Sequence, residues 1–181
     1  MQNINDLFEV FPRPGRVMWI GIRPERRGPV SVVSSVVVSE KKGLIGDHYS
    51  GQSGSRHVTL MQAEHLPVVA SLTGRDSLDP ALLRRNIVVS GLNLLALKDH
   101  QIQIGGSESG PVVLQITGQC HPCSKMETAL GPGGYNALRG HGGMTAKVIR
   151  GGVIGVGDEV VILAATVFSS DPGRPESGSG D

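Results

Sequence analysis

The chain has 181 residues, with 17 Lys and Arg against 16 Asp and Glu, a formal net charge of +1 and a pI of about 7.9. That balance excludes the basic excess by which nucleic-acid binders displace counterions from phosphates, so no nucleic-acid partner is expected. A hydrophobic fraction of 39% excludes disorder as the main state, and one compact domain burying roughly 70% of its unfolded surface is expected at this length.

Residues 1–15 read as a lead-in, with Pro12 and Pro14 ending any helical turn begun near Asp6. They lack a basic segment followed by an apolar run, so no signal peptide is expected. From Arg16 the pattern becomes β-like. Residues 17–22 and the Val-rich run 30–39 read as strands, because β-branched side chains favour a pleated surface. Between them residues 23–29 read as a solvated hairpin loop. Residues 40–56 form a long polar loop rich in glycine, of the kind that is disproportionately functional when ordered. A strand is expected at 57–61, a helix at 62–72 with Pro67 in its first turns, and a capped turn at 79–85 leading into a strand at 86–90. Further strands are expected at 101–104, 112–117, 144–149 and 159–163, with turn chemistry at Gly152 to Gly157. Leu92, Leu94, Leu95 and Leu97 read as core or interface. The segment 165–181 is Gly, Ser and Pro rich and reads as a disordered tail. The pattern predicts an α+β, mostly β domain over 16–164, closed into a β-barrel-like form with a few short helices. No membrane span is expected, since the longest apolar run, 160–168, is about half of the roughly 20 residues a spanning helix needs.

The two cysteines, Cys120 and Cys123, lie in Gln119-Cys120-His121-Pro122-Cys123-Ser124-Lys125. So few cysteines imply a reducing compartment, hence a cytoplasmic location, and a local use of the pair. Three readings compete. A thioredoxin-like dithiol fits the spacing but not the chain order, because that fold places its pair early among alternating strands and helices. A zinc site has half of its tetrahedron, with His121 or His141 available, but no second pair. The third reading uses Cys123 alone, as a soft metal ligand or a persulfide carrier, with Arg, Asn and glycine amides holding a bulky anion.

Gly43-Leu44-Ile45-Gly46-Asp47-His48, Arg56-His57-Val58, Arg85-Asn86-Ile87, Pro122-Cys123-Ser124-Lys125 and the closing Gly152-Val153-Ile154-Gly155-Val156-Gly157-Asp158 occur in the order of the MOSC domain. The sequence resembles that family, the C-terminal domain of molybdenum cofactor sulfurases, and in particular its stand-alone bacterial members. The resemblance implies a barrel-like fold and binding of the molybdenum cofactor, a molybdopterin. By position it implies Cys123 as metal ligand and catalytic residue, and Arg56, Arg85 and Asn86 as cofactor-binding residues. Lys125 joins them as a cationic candidate, and Asp47 and His48 as candidates for proton transfer. Cys120 departs from the family pattern, and whether it resolves a sulfur adduct on Cys123 or packs is left open.

The function implied is reduction of N-hydroxylated compounds by a molybdenum-dependent oxidoreductase; the alternative is a sulfur or cofactor carrier without redox turnover. No flavin fingerprint or iron–sulfur cysteines are present, so a separate reductase, or for the carrier a cofactor-delivery protein, is the expected partner. Pyridoxal phosphate, bound by a further domain of the full sulfurases, is not expected in this chain. Other motifs fall away: the Gly152–Gly157 run precedes a strand rather than a helix, and Gly131-Pro132-Gly133-Gly134 lacks a P-loop ending. Glycine itself, 26 residues and about twice the usual share, is densest from Gly131 to Gly157, which predicts backbone kept bare for close approach to a cofactor.

Overall fold

Seven strands alternate inward apolar residues with outward ones, and they close on themselves. In a computed structural model describing residues 3–49, 51, 53–106 and 110–163, β1 (Gly15–Ile22) pairs with β6 (Ile87–Ser90) along one edge and β11 (Glu159–Leu163) along the other. From β6 the ring continues through β5 (Val58–Gln62), β9 (Met144–Arg150), β8 (Val112–Gln119) and β7 (Gln101–Ile104), which pairs with β11. Closure removes the unpaired edges an open sheet would expose. Inside lie Val58, Leu60, Ile87, Val89, Ile102, Ile104, Leu114, Ile116, Met144 and Ala146, all fully buried.

Every neighbouring pair is antiparallel except β5 and β6. A parallel pair needs a crossover, and residues 63–86 provide it through α2 (His65–Leu72) and a 3-10 turn, Pro80–Leu83, capped by the Asp79 carboxylate accepting from the Ala81 amide at 2.9 Å. The crossover covers the outside of this pair. Met61 and Val88, pointing away from the barrel interior, pack with Val69, Leu83, Met126, Leu130 and Leu138 in a second core. Met126 and Leu130 come from α3 (Ser124–Leu130), whose Glu127 carboxylate accepts from the Gly133 and Tyr135 amides, both at 2.7 Å, and so ties on α4 (Gly134–Ala137).

The Val-rich run 30–39 is not one strand. It divides at Ser34 into β2 (Ser31–Val33), which extends the barrel sheet beside β1, and β3 (Ser35–Ser39), which joins a small sheet with β4 (Gly43–Leu44) and β10 (Gly152–Gly155). The run carries β propensity throughout, but only Val36 and Val38 are buried, so burial decides where the chain changes partner. Likewise Gly152–Gly155 is a strand and only the Gly155–Asp158 segment turns, with Asp158 accepting from the Gly155 amide at 2.8 Å. A helical turn, α1 (Ile4–Leu7), lies in the lead-in. Leu92, Leu94 and Leu97 are core, beside a 3-10 turn at Leu94–Leu97. The tail reading at 165–181 lies outside the described residues, and among the described residues no helix is long and apolar enough to cross a membrane.

Two histidines, one buried and one half-buried, make the fold acid-sensitive. Burial lowers His57 from its ordinary value of 6.5, with Lys147 adding to the effect. Burial and the neighbouring His141, whose ring centroid is 4.8 Å away, lower His65 against the pull of Glu64. Each is held neutral in the fold and takes its proton at a higher pH when unfolded. Their contribution to stability is therefore complete above the ordinary value and is lost as pH falls through the lowered one. The urea midpoint should drop between about pH 7 and 5, and less so in His57→Asn; a midpoint flat across that window would contradict this.

Candidate functional site

Three segments converge outside the barrel interior: the residues entering β5, those entering β6, and the β8–α3 connection. Arg85 is the hub. It is 7% exposed, and its Nε, Nη1 and Nη2 donate to the carbonyls of Gly142 at 2.7 Å, Leu83 at 2.8 Å and Cys120 at 3.4 Å. Burial lowers its pKa; the negative charge offered by Cys120 and Cys123 opposes this, and Arg23 and Arg56 reinforce it. Both thiols and three guanidinium groups thus share one electrostatic neighbourhood.

The cysteines have different surroundings. Cys120 is buried, its amide donating to the Gly143 carbonyl at 2.8 Å, with Arg56 Nη2 3.9 Å from its sulfur. Cys123 is exposed and begins α3 as its cap residue, yet its thiol makes no capping hydrogen bond. Among the described residues no three His, Cys, Asp or Glu side chains converge as a metal cage. What these residues offer a metal is therefore a lone soft thiol beside positive charge, which suits a centre whose other ligands come from its own organic group.

The loop carrying Asp47 is fixed to the end of β1. Asp47 Oδ2 accepts from Arg23 N at 3.1 Å, Arg23 Nε at 3.4 Å and Asn86 Nδ2 at 2.9 Å, while Oδ1 accepts from the Tyr49 amide at 3.0 Å. Its side chain is only 3% exposed. Asn86 is equally committed: Oδ1 accepts from Thr59 N and Oγ1, at 3.1 and 2.8 Å, and Nδ2 also donates to the Gly21 carbonyl. Thr117 Oγ1 donates to the Ser55 carbonyl at 2.6 Å, which pins the residue before Arg56.

These contacts show how the expected residues are held. Arg85 and Asn86 direct their polar atoms at the protein itself and so tie the site's segments together. Asp47 accepts from Arg23, Asn86 and Tyr49. His48 remains available: it is partly exposed, and its Nδ1 lies 3.1 Å from the Arg23 carbonyl. Because a carbonyl only accepts, Nδ1 is the donor in this contact, and Asp47 Oδ1 lies 3.5 Å from the same nitrogen. Arg56 is exposed, with guanidinium donors to spare. Lys125 stands apart from the cluster, in a groove with Arg27 and Arg84.

Arg23 was missing from the expected set because residues 23–29 read as a solvated loop. Residues 24–27 are exposed, but Arg23 itself, 17% exposed, leaves β1 directly into the Asp47 pair. Its place as the last residue before Pro24, at the strand end, was the available signal.

The MOSC domain family profile matches residues 22–161, which span all of these segments. The chain belongs to the MOSC domain family. Among solved structures this MOSC chain is similar to YuaD from Bacillus subtilis, at 18% identity and a TM-score of 0.71, covering 83% of this chain and 96% of that one. YiiM from Geobacillus stearothermophilus aligns at 19% identity and a TM-score of 0.67, over 86% of this chain and 78% of its own. YiiM from Escherichia coli aligns at 17% and 0.62, over 84% and 70%. At such identities these likenesses speak to the fold. No curated protein sequence matches the chain significantly.

Proposed function

We propose that this MOSC chain binds the molybdenum cofactor through Cys123 and reduces N-hydroxylated compounds with electrons from a separate reductase. The observation that carries the reading is the exposed Cys123 thiol standing in the field of Arg85, with Arg23 and Arg56 around it. A thiolate ligand is favoured where positive charge is already fixed, and Arg85 is fixed by three carbonyls. Arg56 supplies exposed donors suited to an anionic group of the cofactor. Once bound, the cofactor would supply the redox centre that removes an oxygen atom.

The chain's own residues do the rest. Asp47 and Asn86 hold Arg23 and the loop in place, and the partly exposed His48 imidazole would relay the protons that reduction of an N–OH group consumes. The two free thiols fit a reducing, cytoplasmic setting.

Protein purified from a molybdenum-competent host should carry molybdenum and releasable pterin near stoichiometry, and Cys123→Ala should lose both while keeping its fold. Metal-free wild-type protein bearing cyanide-labile sulfur would replace this reading with that of a sulfur carrier. One equivalent of zinc would overturn both.

A further inference from the structure

A groove of about 560 Å³ runs between the 3-10 turn Pro80–Leu83, the 23–30 loop and one face of α3. Its volume is in the range of small-molecule sites. The floor is apolar, formed by Pro29, Val30, Ala81, Leu82 and Ala129, and three cations, Arg27, Arg84 and Lys125, stand around it. Among the described residues no carboxylate lines it. Among the described residues none of the three makes an ion pair; Arg84 Nη1 donates to the Gly28 carbonyl at 3.1 Å, which fixes one wall. Beneath, Leu83, Met126 and Leu130 pack in the second core, so the turn and the helix are held against each other and the groove is built in.

The groove is linked to the candidate site through the chain rather than through a shared lining, since neither Cys123 nor Arg85 lines it. Lys125 lies two residues after Cys123, about 3 Å further along the helix axis and about 200° around it, and Thr128 and Ala129 continue the Lys125 face one turn on. Arg84 directly precedes Arg85. Neighbouring cations without counter-charges repel one another, and an anion placed among them relieves that repulsion.

We propose that this groove is a binding subsite that takes molecules carrying a carboxylate or similar anionic group on an apolar body. The binding stands independently of the functional reading above.

Its test uses the full-length protein as purified, isotope-labelled, with 2-naphthoate and the uncharged 2-naphthalenemethanol as probes. Naphthoate should shift the amides of Ala81, Leu82, Lys125, Thr128 and Ala129. It should also bind about ten-fold more tightly than the alcohol, the yield of two or three exposed ion pairs, with the preference shrinking at high salt. In the Arg27→Glu, Lys125→Glu double variant the preference should vanish or reverse, and Ala81→Phe, which fills the floor, should weaken both probes; the amide spectra report whether each variant is folded. Equal affinity for the two probes in the wild type, shifts located elsewhere, or an unchanged preference in the double variant would overturn the proposal. Molybdenum content is measured on the same samples: a metal-free protein that still prefers naphthoate keeps the subsite and loses the cofactor reading, whereas a loaded protein without the preference loses the subsite alone.

Discussion

Arg85→Ala should lower stability by about 3–5 kcal/mol, because it leaves polar groups buried without partners and opens a void where a large side chain stood. The three carbonyls it now serves belong to Leu83, Gly142 and Cys120, that is, to the 3-10 turn, to the approach to β9 and to the exit from β8. Among the described residues no other side chain donates to any of the three. Lysine should rescue only part of the loss, since one ammonium cannot span the positions that a planar guanidinium forks between. Thiol reactivity gives a second readout. In the wild type Cys123 should react quickly with an aromatic disulfide reagent and Cys120 slowly, because one is exposed and the other buried. Releasing the Cys120 and Gly142 carbonyls should loosen the cover over Cys120, so that both thiols react quickly in Arg85→Ala. An unchanged urea midpoint together with a protected Cys120 would show that the buried guanidinium does not hold these segments together.

The barrel was legible because its strands carry their own pattern. Ile102 and Ile104, or Leu114 and Ile116, alternate with polar neighbours and turn inward as period-2 reasoning requires. The split at Ser34 was not legible, because the residues on either side have the same propensity and differ only in which strand they meet. The candidate site divides in the same way. That Cys123, Arg56 and His48 are candidates could be argued from chemistry and motif order. The positioning roles of Asp47, Asn86 and Arg85 could not, since they depend on partners 39 residues apart, as in Asn86 with Asp47, or 57 apart, as in Arg85 with Gly142. Arg23 was hidden for a related reason: one residue at a strand end is buried while the charged run following it is solvated.

In the glycine-rich stretch Gly142 and Gly143 stand against other backbone while Gly131, Gly133 and Gly140 face open space, and three substitutions separate the causes. At Gly133, φ is +87° and an added Cβ would meet open space, so alanine there tests backbone strain alone and should cost about 1 kcal/mol. At Gly142 the backbone has no positive φ, but an added Cβ would lie 2.3 Å from the Cys120 carbonyl oxygen, so alanine tests close approach alone. It should cost about 1–3 kcal/mol as the two segments are forced apart. It should also weaken the Arg85 contact to the Gly142 carbonyl, and so raise Cys120 reactivity. At Gly143 both causes combine, φ being +85° and the Cβ falling 2.0 Å from the Leu60 carbonyl oxygen. Neither neighbour is the end of a flexible side chain; both are backbone, and β5 cannot yield without disturbing its pairing with β9 and β6. Gly143→Ala should therefore be the most damaging of the three, at about 3 kcal/mol or more. That order, Gly133 mildest and Gly143 worst in urea unfolding, follows if bare backbone serves chain-to-chain packing beneath the cysteine segment. Equal losses at Gly133 and Gly143 with none at Gly142 would mean that strain alone matters. A Gly143→Ala protein as stable as the wild type, but unable to take up molybdenum, would return these glycines to the role of ligand clearance that composition first suggested.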